Sequence, residues 1–207
     1  MLKELVAAVR RYTEAQAGES PFVTPIEGVT ILRSDHERRP YYRIHKPALC
    51  IVVQGAKWAT FGNRRIDYGA GQALVVSVEM PAFGRVAEAS PSEPYLGVII
   101  EFDLAVMREV AEGLDAPPGP GKELGPGALV TDLNGQLVDC TLRTVRLLET
   151  PKAIPVLYRN HARDLLLAAD RSARRRGHEN DPGQQSRTAR SKRDPYLARS
   201  LLRFRSS

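Results

Sequence analysis

The first half of the chain is divided into short stretches in which apolar and polar residues alternate or a few apolar residues follow one another. Eight such stretches are predicted as β-strands, because this spacing places one or both faces of each strand in a core. They span residues 29–33, 41–45, 48–54, 57–61, 64–68, 73–78, 84–89 and 95–102. Turn-forming residues separate them, and Gly62-Asn63 is typical of a tight hairpin. Short strands at this spacing favour an antiparallel barrel or sandwich over a parallel sheet.

Apolar residues at helical spacing flank this β-rich region. Residues 1–17 carry them on one face, and Gly18 and Pro21 end the predicted helix. Further helices are predicted over residues 104–114 and 132–149, and Pro155 is typical of the first turn of another helix.

The fold class that follows is mainly β with flanking helices, and the strand pattern resembles the antiparallel jelly-roll barrel of cupin proteins. A Pro/Gly-rich connector, a helical region and a basic tail that is predicted to be disordered follow the barrel. The predicted segments are 1–112 for the N-terminal helix and barrel, 113–130 for the connector, 131–168 for the helical region and 169–207 for the tail.

The net charge of +6 is concentrated near the C-terminus. Residues 1–158 contain 17 Lys and Arg against 19 Asp and Glu, whereas residues 159–207 contain 13 against 5. Basic proteins are candidates for nucleic-acid binding, but only this last quarter of the chain has the required charge. The predicted barrel has no excess of positive charge that would favour DNA binding.

The hydrophobic content of 43% suits a folded core. The sequence shows no apolar run long enough to span a bilayer and no signal peptide at its N-terminus, so a cytoplasmic location is expected. Cys50 and Cys140 are predicted as buried free thiols.

Metal binding would require ligands that converge from neighbouring strands, such as two histidines one residue apart. The four histidines, His36, His45, His161 and His178, have no such spacing. The sequence also lacks a nucleophile elbow, a phosphate-binding glycine loop and a Cys-x-x-Cys pair. We therefore expect no metal, no cofactor and no catalytic residues, and we interpret the chain as a binding protein and not an enzyme.

A set of motif residues in the predicted barrel points to a family. Its members are Gln54, Gly55, Lys57, Gly62, Tyr68, Gly71, Pro81, Pro94 and Tyr95. Their order and spacing resemble the N-terminal regulatory domain of AraC-type transcriptional regulators over residues 1–158. The resemblance implies a domain that binds a small effector or mediates dimerisation, with DNA binding in a separate C-terminal domain.

The motif residues also have simpler explanations. Turn geometry accounts for the glycines, and Pro81 would end a strand or fix a turn. Lys57 could pair either with a carboxylate of the protein or with an anionic effector.

An effector would occupy the barrel interior, and alternation within residues 48–60 offers two possible inward faces. One carries Ala48, Cys50, Val52 and Gln54 and the other carries Leu49, Ile51 and Val53, and alternation alone leaves the choice open. The predicted lining residues are Tyr42, Cys50, Val52, Trp58 and Thr60.

Dimerisation is predicted through the apolar stripe of the helix at 132–149, provided that the stripe is wider than the barrel can cover. The stripe residues are Leu133, Leu137, Val145 and Leu148. The expected partners are a second copy of the chain or a full-length relative.

The chain departs from the family pattern after Tyr158. Arginine dominates there, and the apolar residues are too few for two helix-turn-helix units, so no specific DNA binding is expected. A change of reading frame near Arg159 would explain this tail, and a functional basic extension is the alternative.

The function predicted from the sequence is therefore the effector-sensing and dimerisation domain of an AraC-type regulator, ending before its DNA-binding domain. A small metal-dependent cupin enzyme and a stand-alone small-molecule binding module are the alternatives.

Overall fold

The computed structural model describes residues 1–112 and 127–179, except for the side chains of residues 111 and 172–179. Its helices are α1 Leu2–Glu14, α2 Leu104–Glu112, α3 Gly135–Leu147 and α4 Ile154–Glu179. Its strands are β1 Phe22–Val23, β2 Val29–Ser34, β3 Tyr41–His45, β4 Ala48–Gln54, β5 Ala56–Phe61, β6 Arg64–Gly69, β7 Gln72–Val76, β8 Met80–Glu88, β9 Tyr95–Glu101 and β10 Ala128–Asp132.

The strands form two antiparallel sheets that pack face to face. The six-stranded sheet has the order β1-β2-β9-β4-β7-β10, and the four-stranded sheet has the order β3-β8-β5-β6. An apolar cluster with side chains from both sheets lies between them. The predicted closure into one barrel was wrong, because β3 pairs with β8 and not with β2, which precedes it in the chain. The pattern therefore predicted the strands and their antiparallel packing, but it did not decide between a closed barrel and two separate sheets.

The six-stranded sheet is covered on both faces, which explains the continuous apolar run of β4. Leu49, Ile51 and Val53 contact the helices, whereas Cys50 and Val52 face the four-stranded sheet. Both faces that alternation offered in this strand are therefore inward, each toward a different layer. The result is three layers: helices, the large sheet and the small sheet.

The helical layer packs through amphipathic faces. Leu5 and Val9 of α1 are fully buried against the large sheet and α3. Asn134 caps α3, because its side-chain oxygen accepts a hydrogen bond of 2.8 Å from the Leu137 amide. α4 packs along α3 and α2, and Glu109 of α2 forms ion pairs with two arginines of α4.

Several element boundaries differ from the prediction. β1 was missed because it has only two residues, and β10 lies across the predicted boundary between connector and helical region. β8 begins at Met80, so Pro81 lies inside a strand, opposite Ile44, and does not end one. α4 continues to Glu179, past the predicted start of the tail at residue 169, because Leu165, Leu166, Ala168 and Ala169 are buried in the helical layer.

The remaining predictions about the C-terminal region fall largely outside the structure. Residues 113–126 of the predicted connector and residues 180–207 of the predicted disordered tail lie outside the described residues. Cys50 and Cys140 are buried free thiols, as predicted. Within residues 1–112 and 127–179, no helix is both long enough and apolar enough to cross a bilayer.

Candidate functional site

A cavity of about 490 Å³ lies between the two sheets, at the edge where β2 and β3 are not paired with each other. Its wall comes from β2, β3, β5, β8 and β9, together with short segments before β1 and before β3. At the opposite edge a short turn joins β6 to β7, which brings the two sheets together there. The gap is therefore closed by packing on one side and open on the other.

Basic side chains dominate the polar lining of this cavity. Five of the lining residues are cationic and none is acidic: Arg33, Arg38, Arg39, Arg43 and Lys57. The apolar part of the wall comes from Pro21, Leu32 and Val86. The site thus combines hydrophobic surface with a strong excess of positive charge.

Most of this charge has no acidic partner within the described part of the chain. Arg33 is the exception, since it forms ion pairs with Asp35 at 2.8 Å and with Glu14 of α1 at 3.5 Å. Arg38 donates a hydrogen bond of 3.0 Å to the Ser34 hydroxyl, which is uncharged. No carboxylate of the described residues forms an ion pair with the other four cations.

Lys57 is the most deeply buried of the five, with only 4% of its surface exposed. Its Nζ donates a hydrogen bond of 2.9 Å to the Tyr41 hydroxyl and lies 5.3 Å from the centre of the Tyr41 ring. Gly84 provides room for the lysine stem, because a Cβ at this position would lie 3.4 Å from Lys57 Cε and 3.2 Å from the Trp58 carbonyl oxygen. The ammonium group is therefore held by a neutral hydroxyl and not by a carboxylate.

Two further tyrosine hydroxyls lie in this part of the gap. Tyr95 lines the cavity, and it folds over Gly97, where a Cβ would be 2.8 Å from the tyrosine oxygen. The hydroxyl of buried Tyr68 has no hydrogen-bond partner within the described residues. Burial raises the pKa of both tyrosines, so they stay protonated and act as hydrogen-bond donors.

His45 extends the same row of inward side chains on β3. Its ring packs edge-on against Phe61, with 5.7 Å between ring centres. Burial, followed by the charges of Lys57 and Arg43, lowers the pKa of His45 to about 4, so the ring is neutral at physiological pH. Burial also raises the pKa of the Cys50 thiol, which makes it an unreactive core residue.

None of the five predicted lining residues lines this cavity. Cys50 and Val52 are packed in the core between the sheets. Tyr42, Trp58 and Thr60 lie on the outer face of the small sheet, where the Tyr42 ring contacts Phe83 and the Trp58 ring contacts Arg65. The choice of face was one residue out of register on β3 and β5, so that Tyr41, Arg43 and Lys57 point inward instead.

Two of the motif residues, Lys57 and Tyr95, line the cavity. The Gln54 side chain donates a hydrogen bond of 2.7 Å to the Pro94 carbonyl oxygen, next to Tyr95. Gly55 has a φ of +78°, and a Cβ there would lie 2.5 Å from the Glu88 carbonyl oxygen, so this position requires glycine. Gly62 and Gly71 also have positive φ in turns. Gln54 and Gly55 therefore fix the backbone beside Tyr95.

The predicted dimerisation stripe lies inside the chain. Leu137, Val145 and Leu148 are buried among α1, α4 and the large sheet, and Leu133 packs against the same cluster. Dimerisation through this stripe required that part of it stay uncovered. The rest of the helical layer covers it, so the condition is not met. A contact between copies would need another surface.

Sequence reasoning missed most of the residues that form the cavity. Arg38, Arg39, Tyr41 and Arg43 come from one run, RRPYYR at 38–43, whose concentration of basic and aromatic residues was an available signal. Within the described residues, no three histidine, cysteine, aspartate or glutamate side chains come close enough together to hold a metal ion. The absence of a metal and of a cofactor stays a prediction.

Comparison with known proteins gives one family match. Residues 25–170 match the family described as AraC-type transcriptional regulator N-terminus. No curated protein sequence matches the chain.

Three solved structures show weak likeness to the fold. ToxT from Vibrio cholerae, in its apo K231A form, is 8% identical with a TM-score of 0.47, covering 73% of this chain and 57% of that one. The AraC-like transcriptional activator CuxR is 13% identical with a TM-score of 0.42, over 83% and 58% of the two chains. A cupin-2 domain protein from Shewanella frigidimarina is 11% identical with a TM-score of 0.33, over 49% and 99%. The present chain spans little more than half the length of the two regulators.

Proposed function

The chain belongs to the AraC-type transcriptional regulators, matching their N-terminal region, and on this premise we propose that it is the effector-sensing part of such a regulator. The cavity between the sheets carries the proposal. Its volume of about 490 Å³ falls within the range of small-molecule sites, about 300–1,000 Å³. A bound molecule would contact both sheets at the edge where no backbone hydrogen bonds join them.

Two contacts support a route from the cavity to the helical layer. Arg33 lines the cavity and pairs with Glu14 of α1. Gln54 bonds the backbone next to Tyr95, and its oxygen accepts a hydrogen bond of 3.3 Å from Arg10 of α1. A ligand that moves Arg33 or Tyr95 would therefore change the contacts of α1, which is the coupling a regulatory domain needs.

The test is a thermal-denaturation screen of the purified protein against a metabolite library. A compound that binds only the native state at about 100 times its Kd should add about 2.7 kcal/mol of stability. Substitution Leu32→Trp fills the cavity and should abolish the shift. Thr60→Trp introduces the same side chain on the outer face of the small sheet and should retain it. The proposal fails if no compound stabilises the protein, or if Leu32→Trp binds as well as the wild type.

Dimerisation belongs to the same proposal, with either a second copy or a longer relative as partner. Since the α3 stripe is buried, the contact would use another surface. Light scattering measures the oligomeric state of the chain across a concentration series, and of its mixture with a full-length relative. A monomer at every concentration, together with no complex in the mixture, would contradict this part.

The two alternative functions can be separated from this one. A stand-alone binding module would share the cavity but, when mixed with a full-length AraC-type relative, would not change the DNA binding of that relative. A metal-dependent enzyme would contain a stoichiometric transition metal in elemental analysis of the purified protein.

A further inference from the structure

Four side chains of the cavity lining offer hydrogen-bond donors, and the lining contains no acidic side chain. Lys57 contributes an ammonium group, while Tyr41 and Tyr95 contribute hydroxyl groups. Arg43 follows on the same strand as Tyr41, and its guanidinium group can only donate. A ligand that satisfies this set must present acceptors.

Burial of Lys57 is the strongest single observation. An ammonium group removed from water costs several kcal/mol unless it is paired. At 4% exposure, Lys57 has one neutral hydroxyl as its hydrogen-bond partner among the described residues. The described residues provide no carboxylate for this charge, which is the condition expected of a group that binds an anion from solution.

A second and independent observation is the hydroxyl of Tyr68. It is 3% exposed and has no hydrogen-bond partner in the described part of the chain, although buried hydroxyls are normally satisfied. Tyr68 lies opposite Lys57 in the pairing of β5 with β6, and it packs in the same inter-sheet cluster as Tyr95. Either an acceptor on a ligand or a bound water would satisfy this donor.

The remaining lining residues indicate what the rest of the ligand is like. Arg38 and Arg39 come from the exposed segment before β3, so they can attract an anion before it enters. Leu32, Val86 and Pro21 offer apolar wall. An anionic head group attached to a compact apolar body would match both parts.

We propose that the effector is a small organic anion whose carboxylate or phosphate group binds between Lys57 and the hydroxyls of Tyr41 and Tyr95, with Arg43 beside it. This inference rests on the proposed function, because it names the class of effector for the same cavity. Carboxylate and phosphate share the chemistry that the donors recognise.

Matched probes separate charge from shape. Benzoate, phenyl phosphate and neutral benzamide share a ring, and hexanoate and hexanamide share a chain. We expect one or both kinds of anion to raise the melting temperature at millimolar concentration, and the neutral amides to leave it unchanged. Comparison of benzoate with phenyl phosphate then identifies the head group. Binding should also weaken as salt is raised.

Variants locate the site of binding. Lys57→Met keeps the length of the side chain and removes the charge, and it should weaken the affinity for the best anion by at least about 30-fold. Arg43→Gln should weaken it less. Lys46→Met is the matched control, because Lys46 is exposed, pairs with Glu101 and is not part of the cavity lining. It should bind like the wild type.

The outcomes distinguish this inference from the proposed function. The inference is overturned if no anionic probe stabilises the wild type more than Lys57→Met, or if amides bind as well as anions. If neutral library compounds bind the wild type and Lys57→Met equally well but do not bind Leu32→Trp, the proposed function stands and the inference of an anionic effector is wrong. If no compound of either class binds, both are wrong.

Discussion

The two faces of the six-stranded sheet belong to the same strands but pack against very different layers. The face toward the helices is an apolar core of aliphatic side chains, extended by Phe102, Met107 and Cys140. The buried threonines of α3 satisfy themselves, since Thr141 and Thr144 donate to carbonyls of their own helix at 2.7 and 3.0 Å. This face has the composition expected of a region that stabilises the fold.

The face toward the small sheet contains buried groups that the fold does not fully satisfy. Lys57 lacks a carboxylate partner and the Tyr68 hydroxyl lacks any partner within the described residues. His45 is held neutral by burial. Unsatisfied groups of this kind reduce stability and are retained where they serve binding. Under the proposed function, the residues for stability and those for recognition therefore lie on opposite sides of the six-stranded sheet.

Truncation in the helix-side core should have the largest effect on stability. Leu137 is fully buried on α3, and Leu137→Ala should lower the free energy of unfolding by about 2–5 kcal/mol, because it removes buried methyl groups and leaves a cavity. Urea denaturation measures this change. Leu157→Ala, at a half-exposed position of α4, should cost far less. Equal losses in the two variants would contradict the assignment of the core.

Acid should lower the stability of the folded protein through His45, which is buried between the two sheets. Its pKa is about 4 in the folded chain and about 6.5 when unfolded, so below pH 6.5 the unfolded state binds the additional proton. Stability therefore falls as the pH decreases from 6.5 to 4, by up to about 3 kcal/mol, and levels off for this group below that. The unfolding free energy is measured across this range for the wild type and for His45→Gln. The difference between the two gives the contribution of His45, because the carboxylates contribute equally to both. A flat difference would show that His45 is not buried as described.

Removal of the buried charge should have the smallest effect on stability and the opposite sign. Lys57→Met should leave the free energy of unfolding unchanged or raise it by up to about 1 kcal/mol, because the apolar stem stays and the uncompensated ammonium is removed. Chemical denaturation without ligand provides the measurement. A loss of more than about 2 kcal/mol would mean that Lys57 is a structural residue, and would weaken the case for its role in binding.

Much of the architecture could be predicted because it depends on local patterns. Strand alternation and turn residues located eight of the ten strands, and helical periodicity located α1 and α3. The motif residues between Gln54 and Tyr95 predicted the family, and the match to the AraC-type regulators confirmed that prediction. The missed β10 has a single neighbouring strand, β7, and follows a Pro/Gly-rich segment that hides it.

The candidate site was harder to predict, since a shift of one residue reverses the direction of every side chain in a strand. Tyr42, Trp58 and Thr60 were predicted to line the pocket, yet their neighbours Tyr41 and Lys57 do so. Both faces of β5 carry plausible binding residues, so alternation alone gave no basis for the choice. The apolar stripe of α3 was similarly ambiguous, because its pattern does not say whether α1 and α4 or a second chain covers it.

The sequence by itself determined the strands, the flanking helices, the family and the concentration of positive charge, since each depends on residues that are neighbours in the chain. The tertiary structure alone decided that two sheets form, that β2 and β3 leave an open edge, and that cations from β2, β3, β5 and the segment before β3 meet there. The physical reason is that strand pairing joins residues far apart in sequence, and no local pattern encodes which partner a strand will have.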